Sequence, residues 1–176
     1  MIKLVRLTVD DTAEVMNILT TVHEQMDHKE WYVIDNFEYY DYYLQEGKGV
    51  GYKAVDMEND RSLGLFIAVI PDKKEMHLGY DCGLTDNQVK REAVMDTVAV
   101  LPEARGQNLQ FLLMHAVEEK LREMGYRYLT ATVHPDNPYS LRNALKRNYK
   151  IMATKEKYGG YLRHVLLKDL EEGENE

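Results

Sequence analysis

The residues from Asp96 to Met124, DTVAVLPEARGQNLQFLLMHAVEEKLREM, restrict what this chain can fold into more than any other stretch. An alternating apolar segment stops at Pro102, which has no N–H to give to a sheet, and an amphipathic helical pattern starts near Asn108. A strand, a turn through Arg105 and Gly106, and then a helix leave the first helical N–H groups without intrahelical acceptors. Such a junction attracts anions, phosphate groups above all.

Around this unit the pattern alternates between strand and helix. Ile2 to Leu7 reads as a strand, and Asp10 or Asp11 caps a helix with Val15, Ile18, Leu19, Val22 and Met26 on one stripe. Residues 30–46 read as a loop and a short helix that ends at the Gly47, Gly49 and Gly51 cluster. Val50 to Met57 and Ser62 to Ile70 flank a turn-rich END and form an antiparallel hairpin. Residues 71–90 are polar and irregular, with a short helix after Thr85.

Val94 to Val100 is the fourth strand. The helix after it turns Leu109, Leu112, Leu113, Ala116, Val117, Leu121 and Met124 inward and stops at Gly125. Tyr128 to Val133 is the fifth strand, and a strand–helix–strand crossover makes it a parallel neighbour of the fourth. Asn137 and Pro138 open a short helix with Leu141, Ala144 and Leu145 inward. Ile151 to Lys157 and Leu162 to Lys168 are the last strands, joined through Tyr158, Gly159 and Gly160.

A chain of 176 residues suits one domain, here residues 1–170, followed by an acidic, solvated tail over 171–176. No apolar run is long enough for a membrane span, and the charged start MIKLVRLTVDD does not resemble a secretory signal, so a cytoplasmic protein is expected. Cys82 is alone, and the six histidines form no paired ligand motif, so no metal is expected. Charge is divided unevenly: residues 1–90 hold 9 Lys/Arg against 17 Asp/Glu, and residues 91–168 hold 13 against 8. That division suits an anionic cofactor with a cationic second substrate, or is uneven surface charge. The basic half has no concentrated basic helix, which argues against nucleic acid. No G-K-[ST] follows the turn, which excludes a P-loop.

The run VAVLPEARGQNLQ, the Gly125–Tyr126 pair and the ATVHPDNPYS segment together resemble the GNAT superfamily of acyl-CoA N-acyltransferases, specifically across residues 94–168. The resemblance implies an α/β fold: a mixed, mostly antiparallel sheet of about seven strands, splayed between the fourth and fifth, with helices on both faces. It also implies an acceptor-shaping half over 1–93 and a coenzyme A-binding half over 94–170. The family's pyrophosphate-wrapping pattern reads here as Val100, Pro102, Arg105, Gly106, Asn108 and Gln110, with two glycines replaced. Asn108 tolerates left-handed backbone angles, whereas Gln110 must fold its side chain aside. The implied cofactor contacts are the turn residues Arg105, Gly106, Gln107, Asn108, Leu109 and Gln110, the strand edge at Val98 and Val100, and Asn137 and Ser140. Asn137 is at once an N-cap by position and a cofactor contact by resemblance.

The implied reaction is attack of an amine on the acetyl-CoA thioester without an acyl-enzyme. An amine with a pKa near 10.4 is only ~0.04% neutral at pH 7, a handicap of roughly 4.6 kcal/mol, so a base helps. Asp96 shares a strand face with Val98 and Val100, at a position where some family members carry that base; a structural Asp bonded to backbone is the alternative. The backbone N–H of Val98 is the expected donor to the developing oxyanion. The family's thiolate acid is a tyrosine where this chain has Ala144; Ser140 could relay a proton through water, or Tyr139, Tyr149 or Tyr158 could serve.

The acceptor region maps to residues 23–46 and 156–164. Trp31, Tyr32, Phe37, Tyr39, Tyr40, Tyr42 and Tyr43 with Glu38 and Asp41 either form an aromatic, acidic ammonium pocket or are in the main the packed face of a short helix. Tyr158 and His164 are further acceptor candidates. A small-molecule amine is the expected acceptor. A protein N-terminus or lysine, or a silent coenzyme A-binding sensor, are the alternatives, and homodimerisation is left open.

Overall fold

The computed structural model describes residues 1–172, so 173–176 of the expected tail lie outside the described residues. The elements run β1 (Ile2–Arg6), α1 (Thr12–Glu24), α2 (Phe37–Gln45), β2 (Gly49–Asp56), β3 (Arg61–Val69), β4 (Glu92–Val100), α3 (Leu109–Glu123), β5 (Tyr128–Val133), α4 (Pro138–Lys146), β6 (Lys150–Lys157) and β7 (Tyr161–Asp169). The strands form one open mixed sheet in the order β1-β2-β3-β4-β5-β7-β6, parallel only where β4 meets β5. That pair is registered over Glu92–Val94 against Tyr128–Thr130, and Asp96, Val98 and Val100 lie past it.

Two compact units divide the chain: Met1–Val69 with Asp96–Lys120, and Ile70–Met95 with the residues from Leu121 onward. Both β4 and α3 run through the boundary, so each belongs in part to both units.

In the first unit, α1 buries Val15, Ile18, Leu19 and Val22, while α2 buries Tyr40, Tyr43 and Leu44. β3 is buried on both faces from Leu63 to Val69, and β2 adds Val50, Ala54 and Val55. Gly64 of β3 leaves room for β4, because a Cβ there would meet the Ala99 carbonyl oxygen at 2.8 Å. The expected cap of α1 is corrected. Asp11 precedes the helix, but its carboxylate accepts from the Thr8 N–H (2.8 Å) and from Lys53 (2.9 Å), fastening the turn before α1 and the neighbouring strand instead. Met26 lies beyond the end of α1. On α3 the inward stripe is Leu109, Leu113, Met114, Val117, Glu118 and Leu121; Leu112 and Met124 are exposed, the latter past the helix end.

The second unit centres on β5, β7 and the start of β4, with Ala93, Leu129, Ala131, Val165 and Leu166 buried. Residues 71–90 are irregular as expected and wind through short 3-10 helices at Lys74–Met76, Leu78–Cys82 and Gln88–Arg91, the last being the short helix after Thr85. They are held by Glu92, a buried carboxylate that accepts from the Gly79 N–H (2.9 Å) and Thr130 Oγ1 (2.7 Å) and pairs with His77 Nδ1 (2.8 Å). Asp81 adds ion pairs to Lys155 (2.6 Å) and Lys157. On α4 Ala144 is buried but Leu145 is exposed, against expectation. β6 is the sheet's outer strand and is exposed along most of its length, Ile151 and Met152 included. Glu171 is not a free tail residue: it pairs with Arg91 (2.9 Å) and Arg127 (2.8 Å). Among the described residues no helix is long and apolar enough to cross a membrane.

Candidate active site

The turn after β4 is built by backbone conformation. Leu101 still donates to the Leu63 carbonyl (2.8 Å), but Pro102 cannot continue the ladder, and Pro102–Ala104 coil into a 3-10 turn. Gly106 (φ 84°) and Asn108 (φ 60°) are both left-handed, so Asn108 adopts the conformation expected of it in a glycine position. Open space surrounds the missing Cβ of Gly106. The first α-helical bond closes from the Leu112 N–H to the Asn108 carbonyl (3.1 Å), so the N–H groups of Leu109, Gln110 and Phe111 precede any intrahelical acceptor. Arg105, Gly106, Gln107 and Asn108 are exposed and Gln110 is half-buried. Leu109 is 2% exposed, so only its backbone faces outward, while its side chain belongs to the core.

On β4, Asp96, Val98 and Val100 are half-buried while Thr97 and Ala99 are buried, the alternation that puts the three candidates on one face. The surroundings of Asp96 are polar rather than apolar. Its Oδ2 accepts from Thr97 Oγ1 (3.0 Å), and Tyr39 of α2 also hydrogen-bonds to the carboxylate. Thr97 Oγ1 in turn meets the Tyr40 hydroxyl (3.1 Å). Since the single Thr97 proton is given to Asp96, Tyr40 is the donor in that pair. Desolvation pushes the Asp96 carboxyl up to about 7; the charge of Asp35 adds to the rise, and the hydrogen bonds from Thr97 and Tyr39 oppose it. Burial also raises the phenols of Tyr32, Tyr39 and Tyr40, so all three are neutral donors near neutral pH.

Both readings of the aromatic segment hold in part. Tyr40, Tyr43 and Leu44 are the packed face of α2, yet Tyr39 and Tyr40 also turn their hydroxyls toward the Asp96–Thr97 pair. Phe37 and Tyr42 are largely exposed, and Trp31 stacks on His28 at 4.4 Å. Asp35 and Thr97 also act on the Asp96 carboxyl, and no sequence pattern marks them. Thr97 points to the opposite face by alternation, and only its short hydroxyl reaches back. Asp35 precedes the Asn36 cap of α2, and nothing in linear spacing relates it to β4.

In the second unit Asn137 caps α4: its Oδ1 accepts from the Ser140 N–H (3.3 Å) and its Nδ2 donates to Ser140 Oγ (3.2 Å). The two residues are thus one pair with both side chains engaged. Asn148 takes a left-handed φ of 68°, and Tyr149 after it is buried. Tyr139 is 68% exposed, Tyr158 shares a 2.7 Å hydrogen bond with Thr132, and His164 Nδ1 pairs with Thr154 Oγ1 at 2.7 Å. Cys82 is half-buried, its thiol pushed up to about 12 by burial and by the charges of Glu92 and Asp81, which makes it a poor nucleophile.

The chain belongs to the acetyltransferase (GNAT) family, whose model matches residues 14–149. Its fold recurs in an N-acetyltransferase from Staphylococcus aureus Mu50 (15% identity over 97% of this chain and 99% of that one, TM-score 0.73). It recurs in the ribosomal-protein-S18-alanine N-acetyltransferase of Escherichia coli (14%, 99% and 98%, TM-score 0.72). The yncA protein of Salmonella typhimurium, solved with its cofactor acetyl-CoA, is similar to the same degree (13%, 100% and 98%, TM-score 0.72). No curated protein sequence matches the chain.

Proposed function

We propose that this protein transfers an acetyl group from acetyl-CoA to a primary amine of a small molecule, by direct attack in a ternary complex. The observation that carries the reading is Asp96, a carboxyl raised to about 7 and held by Thr97 and Tyr39 in a chain of acetyltransferase lineage. A carboxyl of that acidity is about half ionised at neutral pH, where it can both take a proton from an ammonium and release it. The exposed backbone of Arg105–Asn108 and the first N–H groups of α3 are the groups that would hold a pyrophosphate; the left-handed Gly106 and Asn108 fit that use. Val98 and Val100 would serve the pantetheine arm through their backbone, and the Val98 N–H would face the thioester oxygen. The family resemblance also assigns cofactor contacts to Asn137 and Ser140. Acetyl-CoA supplies the acetyl group as a thioester; the protein's part is to orient the amine and to remove its proton at Asp96.

The reading is tested by adding acetyl-CoA to the protein and following its melting temperature, then monitoring thiol release over a panel of amines and short peptides. A rise in melting temperature and faster thiol release with a small amine are expected. Release with peptides alone would move the acceptor to protein. Ala144, at the family's tyrosine position, is what favours a silent sensor, and binding without release on any acceptor would establish that reading. Without a thermal shift at millimolar acetyl-CoA, both readings fail.

A further inference from the structure

Strand alternation turns Thr97 away from the face that carries Asp96, Val98 and Val100, and at 3% exposure its side chain lies where a valine would pack as well. It carries a hydroxyl instead, and a buried hydroxyl is costly unless it is hydrogen-bonded. Here both its proton and its oxygen are used. Thr97 Oγ1 donates to Asp96 Oδ2 at 3.0 Å, and the Tyr40 hydroxyl stands 3.1 Å from the same Oγ1. A threonine has one proton, and an ionised carboxylate accepts it more strongly than a neutral phenol does, so Tyr40 donates to Thr97 and Thr97 to Asp96. The chain runs one way. Each donor polarises the next, and the hydroxyl that reaches Asp96 is the stronger for having Tyr40 behind it.

The far end of this chain is fixed and closed. Tyr40 is fully buried, its ring edge to face with that of Tyr39 at 5.1 Å. The helix that carries it is held from two sides: Thr12 of α1 hydrogen-bonds to Asp41 at 3.2 Å, and a Cβ on Gly49 of β2 would come within 3.1 Å of the Leu44 backbone nitrogen. Burial, with the charge of Asp96, raises the Tyr40 phenol, so it keeps its proton. A chain that ends on a buried, neutral phenol has no outlet to water. It can hold the carboxylate but cannot drain it, and a proton taken up at Asp96 leaves by the face that received it.

We infer that Thr97 and Tyr40 are positioning residues for acetyl transfer: two hydrogen bonds in series hold the Asp96 carboxylate in one rotamer, with Oδ2 engaged, and favour its charged form before the amine arrives. Their part in turnover rests on the acetyl-transfer reading above, whereas their hold on Asp96 does not. The titratable groups that face Asp96 are Tyr32, Asp35, Tyr39 and Tyr40, all from residues 32–40. Of these, Tyr40 is the one that works through Thr97.

A double-variant cycle read on the Asp96 carboxyl itself tests this. In protein made with isotope-labelled aspartate, the Asp96 carboxyl resonance, identified by its loss in Asp96→Asn, is titrated in the parent, Thr97→Val, Tyr40→Phe and the double variant. Thr97→Val removes a bond to the ionised form and should raise the midpoint by about half a pH unit or more. Tyr40→Phe should raise it by less, and the double variant should match Thr97→Val alone, because Tyr40 has no route to Asp96 once the middle hydroxyl is gone. Thr97→Ser keeps the hydroxyl and should stay at the parent's midpoint. Thr97→Val should also lower the melting temperature by stranding the Tyr40 hydroxyl, and adding Tyr40→Phe should restore part of the loss. In the acetyl-CoA assay Thr97→Val should lower kcat by about tenfold, with the acid limb following the resonance midpoint, the KM for acetyl-CoA unchanged and Thr97→Ser restoring the rate. An unmoved midpoint in Thr97→Val, or shifts that add in the double variant, overturns the inference. A midpoint that moves as expected while thiol release keeps the parent's rate leaves the hold on Asp96 standing and overturns instead its reading as the base.

Discussion

Asp96 owes its chemistry to what surrounds a single carboxyl. Burial and Asp35 raise it, Thr97 and Tyr39 pull it back, and the balance lies at about 7. As the base, it should give kcat/KM an acid limb that rises through that pH. Asp96→Asn should cut kcat by about a hundredfold or more while acetyl-CoA affinity stays within twofold; an unchanged rate with a working amine removes Asp96 from the reaction. Tyr39→Phe deletes a bond that favours the ionised form, so the limb should move to higher pH. The stability sign follows from the same shift. The folded protein holds an extra proton between the ordinary value of 3.8 and about 7, so this group's stabilising contribution is complete at the acid end and fades as pH rises across that window. Asp96→Asn should therefore gain melting temperature relative to the parent protein between about pH 5 and about pH 8. Alternation along β4 made Asp96 legible in the sequence. Its partners were not, because Tyr39 and Asp35 reach it through a fold that no local spacing encodes.

At the level of elements, the strand–turn–helix junction was legible because each of its parts has a local cause: Pro102 ends pairing, Gly106 turns the chain, and α3 starts where the apolar period starts. Asn108 shows how a missing glycine is tolerated, with a φ of 60° that few other side chains accept. Asn108→Gly should keep both stability and acetyl-CoA affinity, whereas Asn108→Ala should lose roughly 1 kcal/mol of stability and weaken cofactor binding, by denaturant titration and calorimetry. Equal behaviour of the two variants would mean that backbone conformation is not what this position contributes. Helix faces were less legible. A period fixes a stripe only to within a neighbouring residue, so periodicity points Leu112 and Leu145 inward whereas both are exposed, and Met114 and Glu118 hold buried places on α3. The segment 71–90 was opaque because its order comes from Glu92 on β4, not from any repeat of its own.

At the scale of the molecule, Glu92 is a buried carboxylate that fastens the 71–90 segment to the sheet. It serves His77 and the Gly79 backbone of the 71–90 segment together with Thr130 of β5. Glu92→Ala would leave those groups unsatisfied in a buried setting and should cost about 3 kcal/mol or more. Hydrogen exchange should localise the first loosening to residues 71–91; uniform loosening would show that the network is not a local fastening. The order of strands, with β7 between β5 and β6, could not be read from the sequence, since no local spacing says which of the two terminal strands pairs with β5.

The outer position of β6 bears on how the protein behaves at high concentration. A sheet margin showing Ile151 and Met152 presents unpaired backbone groups to any extended peptide that drifts past, including another copy's. Lys150, Lys155 and Lys157 punctuate that margin, and the last two are bound to Asp81. Like charges meeting like charges keep such strands from zipping together. Threonine at all three positions should convert a well-dispersed preparation into one whose light scattering climbs with time, and scattering as low as the parent's would show that this edge is guarded by something other than its lysines.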